Sequence, residues 1–170
     1  MATVQVGGHI TLLFSIHDDA LLPRNQGSRG AGLCLEHGVC VSIEETGRSE
    51  VIEAGQEMAG WDQDIPAIKS KGMSEITINV QKPSESFSQN MYEDLIDELR
   101  QARLLPMDTN YSIQVDIALP LSQGFGMSAA GLSALALACF QLTEKGSKSQ
   151  YFRAAHHLSL IHISEPTRPT

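Results

Sequence analysis

Positive charge is the first thing this sequence is short of. Its 170 residues carry 12 Lys and Arg against 20 Asp and Glu, a formal net charge of −8. That argues against nucleic acid or an anionic membrane surface as the main partner, since both need clustered cations. It does not exclude one small anion, which a few backbone N–H groups can hold. Cysteine is scarce too. Cys34, Cys40 and Cys139 are odd in number and match no zinc-ligand spacing. Cys139 lies in an apolar stretch and reads as a small buried hydrophobe, so reduced thiols in a cytoplasmic protein are expected. Long apolar runs are also missing. Leu132–Phe140 is broken by Ser133 and is too short to span a bilayer. The start, MATVQVGGHITLLFSI, has no basic lead and does not read as a signal peptide. There is no internal repeat. With 42% apolar and 19% charged residues, the composition suits one soluble domain with a real core.

Alternation of apolar and polar residues predicts strands over Thr3–Val6 and His9–Ile16, around a turn or bulge at Gly7-Gly8. Asp18–Gly32 reads as a loop, because it is rich in Gly, Asn, Asp and Pro. Leu33–Ile43 predicts a strand or hairpin bent at Gly38, and Val51–Glu53 a short strand. Gly55–Ser74 reads as loop, and Glu75–Val80 as a half-buried strand ended by Lys82-Pro83. Ser88–Arg103 predicts an amphipathic helix with Tyr92, Leu95, Ile96, Leu99 and Ala102 on its apolar face. Arg100 and Arg103 stand near its end, where the macrodipole favours cations. Tyr111–Leu119 alternates like an antiparallel strand with one wet face. Ser128–Leu142 is apolar nearly all round and should form a buried helix, and a further helix begins at Gln150. Grouped strands with helices between them point to an α+β fold.

The chain is organised around Leu119–Leu142, LPLSQGFGMSAAGLSALALACFQL, where a strand feeds a glycine-rich turn and the turn feeds the apolar helix. The first turn of a helix has N–H groups without internal partners and the positive end of the macrodipole, which suits an anion, most often phosphate. Three kinds of phosphate loop compete. The P-loop requires a lysine, and none lies between Pro120 and Leu142. The dinucleotide fingerprint is matched by Gly124, Gly126 and Ala129, but the strand before it alternates where a central parallel strand should be apolar throughout. The acidic residue at the right distance, Glu144, follows a helix instead of ending a strand.

The third kind rests on resemblance. Pro120, Gly124, Gly126, Ser128 and Ala130 form Pro-x-x-x-Gly-x-Gly-x-Ser-x-Ala, which resembles the phosphate motif of the GHMP kinase superfamily. GGHITLLFSIHD (Gly7–Asp18) resembles the PGHIT motif of its archaeal pantoate kinases, and GSRGAGLCL (Gly27–Leu35) resembles their GSRGAG segment. Order and spacing agree, over Met1 to about His157. Gly7 departs from the family's Pro, and the family's later glycine-rich motif is absent.

The resemblance implies a two-layer α+β domain over residues 1–157, the GHMP-kinase N-terminal domain (ribosomal-protein-S5-domain-2-like). It has a mixed or antiparallel sheet with helices on one face. It implies phosphoryl transfer from ATP, with Mg2+, to the hydroxyl of pantoate in archaeal coenzyme A synthesis. The alternatives are another GHMP kinase, acting on homoserine or mevalonate, and a non-catalytic nucleotide-binding fragment. Pro120, Gly124, Phe125, Gly126, Met127, Ser128, Ala129 and Ala130 would surround the ATP phosphates. Ser128 has two readings, a Mg2+ ligand or a helix N-cap. Ser28 and Arg29 would contact the substrate, and Arg can grip a carboxylate with two parallel hydrogen bonds; the alternative is a solvated surface turn. His156 matches the histidine of a His-x-x-Glu pattern near the substrate, but Ser159 stands where the metal-binding glutamate should be. Its other reading is a partly buried polar residue. For His9 and Thr11 a structural role in a strand has at least as strong a claim as a contact with ligand. The catalytic aspartate is expected further on, and a homodimer is the implied assembly. LSLIHISEPTRPT (Leu158–Thr170) shows no helical period and resembles translated sequencing-adapter read-through, so residues 158–170 are expected to be a non-native tail.

Overall fold

The computed structural model describes residues 1–17, 27–48, 76–81 and 89–163. In chain order these form β1 (Ala2–His17), β2 (Gly27–Arg48), β3 (Ile76–Gln81), α1 (Asn90–Gln101), β4 (Thr109–Ile117), α2 (Met127–Thr143) and α3 (Lys148–Ile163). The expected strand at Val51–Glu53 and the loop at Gly55–Ser74 lie outside the described residues.

The sheet has the order β1-β2-β4-β3. β1 runs antiparallel to β2 and β2 to β4, while β3 and β4 are parallel, so the sheet is mixed. Period-two alternation sorts its faces. Val39, Val41 and Ile43 on β2 and Tyr111, Ile113 and Val115 on β4 are buried under the helices. Gln5, Gln114 and Asp116 are exposed, and the hydroxyls of Thr3 and Ser42 meet at 2.9 Å across the ladder. The architecture is therefore two-layer α+β, with helices on one face of the sheet, as the sequence leads one to expect.

α2 packs on β1 and β2 and also on α3. Leu132, Ala134, Leu135, Ala136, Ala138 and Cys139 are all buried, which explains why its sequence has no polar stripe. Burial also pushes the Cys139 thiol well above its ordinary range. α3 follows a four-residue connection (144–147) and packs on α2, where the Phe140 and Tyr151 rings meet edge to face at 5.6 Å. The Tyr151 hydroxyl lies 2.9 Å from Thr143 Oγ1 and donates to the Leu104 carbonyl at 3.3 Å.

Four sequence expectations need correction. Gly27–Gly32 is not loop: it opens β2, paired with residues 11–17 of β1. Gly30 and Gly32 have no room for a side chain, because a Cβ on either would press on the carbonyl of Leu13 or Ile10 across the ladder. In α1, Arg100 is buried and Ala102 is exposed, the reverse of the helical-wheel reading. The helix stops one residue earlier than Ala102, and Arg103 turns the chain with a left-handed φ of 59°. Finally, α3 continues past His157 to Ile163, and Leu158 is part of the core.

Candidate functional site

Strand β4 ends at Ile117, and the N–H of Ala118 donates to Gly38 O at 2.9 Å, which aims the chain into the 118–126 turn. The turn takes three left-handed steps, at Ser122 (φ 58°), Gly124 (φ 79°) and Gly126 (φ 67°). The two glycines answer different needs. Around Gly124 there is open space, so backbone conformation alone asks for glycine. At Gly126 conformation and space both ask for it, since a Cβ would run into the His9 imidazole.

Gly126 is the N-cap of α2 and provides no side chain to cap it. The first helical hydrogen bond runs from Ala130 N–H to Gly126 O at 3.0 Å. The N–H groups of Met127, Ser128 and Ala129 therefore have no carbonyl within the helix. No acidic residue lies in the first turn to compete for that positive end. Met127 and Ala130 are buried beneath it, Phe125 and Ala129 are half-buried, and Pro120, Gly124 and Ser128 are exposed. Ser128 is the second helical residue, so its N-cap reading is set aside, and its hydroxyl is free to face a ligand.

The turn rests on β1. Next to Gly8 the β1–β2 ladder slips, from Gly7↔Gly38 to His9↔Cys34. Gly8 is buried, and a Cβ there would lie 2.5 Å from Met127 Cε and 2.9 Å from Phe125 O. His9 N–H donates to the same Phe125 carbonyl at 3.0 Å. Two of the sequence motifs, GGHIT and GFGMSAAG, are thus one structural unit.

No family model matches the chain, and no curated protein matches it. Among solved structures it is similar to one described as a phosphotransferase related to the CoA biosynthesis pathway, with a TM-score of 0.63 and 20% identity, over 95% of this chain and 46% of that one. It is also similar to mevalonate kinase from methicillin-resistant Staphylococcus aureus, with a TM-score of 0.53 and 16% identity, over 94% of this chain and 45% of that one. The fold is the one seen in these two structures. At these identities the likeness is one of fold, and the chain spans a little under half the length of each structure it matches.

Of the other candidate residues, Ser28 and Arg29 lie on the β1–β2 arm and His156 on α3. Ser28 and Arg29 pair with Ile16 and Ser15 at the far end of the β1–β2 arm. From His9 to Ser15 is six residues along β1, about 20 Å of strand. Arg29 is exposed. His156 is also exposed, on α3. Its neighbour His157 places Nδ1 3.7 Å from Glu98 Oε1. The structure thus brings the residues of the turn together with Gly8 and His9. Among the described residues no group of three or more His, Cys, Asp or Glu is placed to hold a metal. The donors present fit a chain of phosphates; towards Mg2+ the turn offers the Ser128 hydroxyl. No helix among the described residues is long and apolar enough to cross a membrane.

The role of Gly8 and His9 in seating the turn has a faint sequence signal, a Gly-Gly pair interrupting an otherwise regular strand. What the pair makes room for was hidden, because its partner lies more than a hundred residues along the chain.

Proposed function

We propose that this chain supplies the ATP-binding part of a small-molecule kinase whose acceptor is pantoate. The observation that carries the reading is the left-handed Gly126 handing the chain to an uncapped, acid-free helix start. Phosphoryl transfer asks mainly for alignment and charge neutralisation, and such a helix start supplies both to phosphate oxygens. Backbone N–H groups of Met127, Ser128 and Ala129 would hold the ATP phosphates, and the Ser128 hydroxyl would be a ligand for Mg2+, which would supply charge neutralisation there. The exposed Arg29 and its neighbour Ser28 would meet the acceptor carboxylate, on an arm that must then face the turn. A structural neighbour described as related to CoA biosynthesis favours pantoate over other hydroxy acids. A homodimer in the cytoplasm remains part of the proposal, resting on the family resemblance.

Calorimetry of the purified chain with ATP, with and without Mg2+, tests the phosphate site. Ser128→Ala should weaken binding of the Mg2+ complex about tenfold, a loss of about 1.4 kcal/mol, and leave metal-free ATP binding within about twofold. No ATP binding by the unaltered chain would overturn the reading. The acceptor is tested by ADP release with pantoate, homoserine and mevalonate offered in turn. Turnover of another acceptor with pantoate untouched refutes the substrate. Nucleotide binding without turnover of any acceptor leaves a nucleotide-binding unit.

A further inference from the structure

We propose that His9 is a positioning residue for the phosphate turn, gripping two successive residues of it, Phe125 by its backbone N–H and Gly126 by its ring; the functional part of this rests on the nucleotide reading above. The backbone contact is the 3.0 Å hydrogen bond from His9 N–H to Phe125 O. The ring contact is the imidazole edge, Cε1 and Nδ1, filling the space a Cβ of residue 126 would need. Gly126 matters more than its neighbours because it is the N-cap: its φ and ψ of 67° and 27° decide where the N–H groups of Met127, Ser128 and Ala129 point. A glycine with no side chain has a wide choice of backbone angles, and confining it costs conformational entropy. The His9 ring confines it from outside, on the face where a side chain would otherwise have done so.

The neighbouring sequence is arranged to let His9 do this. Gly8 is buried without a Cβ, so β1 comes close enough for residue 9 to reach the turn. The ladder slip from Gly7↔Gly38 to His9↔Cys34 falls at the same place. Gly38 has no space for a Cβ either, as it would press on the Val6 carbonyl and Gly8 N. A regular strand with side chains at these positions would hold residue 9 away from Gly126.

The test uses His9→Ala and His9→Phe. Phe restores a flat ring at the same place without ring N–H groups, so it separates packing on Gly126 from direct contact with phosphate. Calorimetry with ATP should show His9→Ala binding about five- to tenfold more weakly and His9→Phe within about twofold of the unaltered chain. Amide hydrogen exchange without nucleotide should show residues 125–129 exchanging about five- to tenfold faster in His9→Ala, with Leu95–Leu99 of α1 unchanged. ATP affinity unchanged in His9→Ala would overturn the functional role. His9→Phe binding as weakly as His9→Ala would overturn positioning and make the imidazole a ligand contact instead. Unchanged exchange in His9→Ala would remove the grip itself. The exchange arm does not depend on nucleotide: faster exchange in His9→Ala with no ATP binding by the unaltered chain would uphold the grip and sink the nucleotide reading alone.

Discussion

Arg100 and Tyr111 show how single residues in this core are held. Arg100 is only 3% exposed, yet its charge is not isolated. Nη1 reaches Asp97 Oδ1 at 3.1 Å, Nη2 donates to Thr109 O at 2.9 Å, and the guanidinium lies 5.6 Å from the Tyr111 ring centre. Nε and the Tyr111 hydroxyl find no hydrogen-bond partner among the described residues. Burial, helped by the charge of Glu45 and opposed by that of Arg100, pushes the Tyr111 phenol up to about 12. The folded state therefore favours the neutral phenol. That stability is complete below the ordinary tyrosine value of about 10 and is lost as pH rises from there through about 12. Burial raises Tyr92 and Tyr151 in the same sense. Melting temperature should accordingly fall across pH 10 to about 12, and Tyr111→Phe should flatten part of that fall. Near pH 7 the same substitution should cost less than about 1 kcal/mol, because it deletes a hydroxyl that lacks a partner. Urea titrations at the two pH values check both statements; a larger loss at neutral pH would reveal a partner for that hydroxyl.

Among the elements, the crossing of α1 and α2 depends on Gly131. A Cβ at that position would run into the Tyr92 hydroxyl, and Tyr92 is itself buried. Alanine is the better helix former by about 1 kcal/mol, but overpacking of this kind costs about 1–3 kcal/mol. Gly131→Ala should therefore lower stability, and adding Tyr92→Phe should recover part of the loss. A double-mutant cycle by chemical denaturation reads the coupling, and strictly additive losses would mean the two side chains do not meet. The helices were legible in the sequence because their patterns are local: Tyr92, Leu95, Ile96 and Leu99 recur at helical spacing, and α2 has no polar stripe. The Gly27–Gly32 segment was not, because glycine carries no periodicity. It is strand because β1 carbonyls press where its side chains would be. Arg100 misled for a similar reason. Its burial is compensated by the Thr109 carbonyl, which comes from another element and leaves no mark on the helical pattern. At the site, the turn and Ser128 could be read from one contiguous motif, whereas the His9–Gly126 contact exists only after β1 and α2 have packed.

At the scale of the whole molecule, the helical layer has α2 inside and α3 covering it. α3 does this with the buried Tyr151, Ala154, Ala155 and Leu158, the last three standing three, four and seven residues past Tyr151, which is one helical face. The fourth of them lies just beyond His157, where the resemblance to read-through placed the end of the domain. Leu158 is 8% exposed and belongs to the same core cluster as Leu132 and Leu135. Whatever the origin of the residues that follow, the packing uses this one. Removing a buried leucine side chain costs about 2–5 kcal/mol. A chain ended at His157 loses that contact together with the final turns of α3, so it should lose at least as much as Leu158→Ala. At this size each kcal/mol lowers the melting temperature by about 2–4 °C. Both variants should therefore melt at least about 4 °C below the full chain, with the shortened one the lower of the two. Calorimetry of the three proteins decides the matter. Equal melting of residues 1–157 and the full chain would mean that Leu158 contributes nothing in solution and that the domain ends at His157.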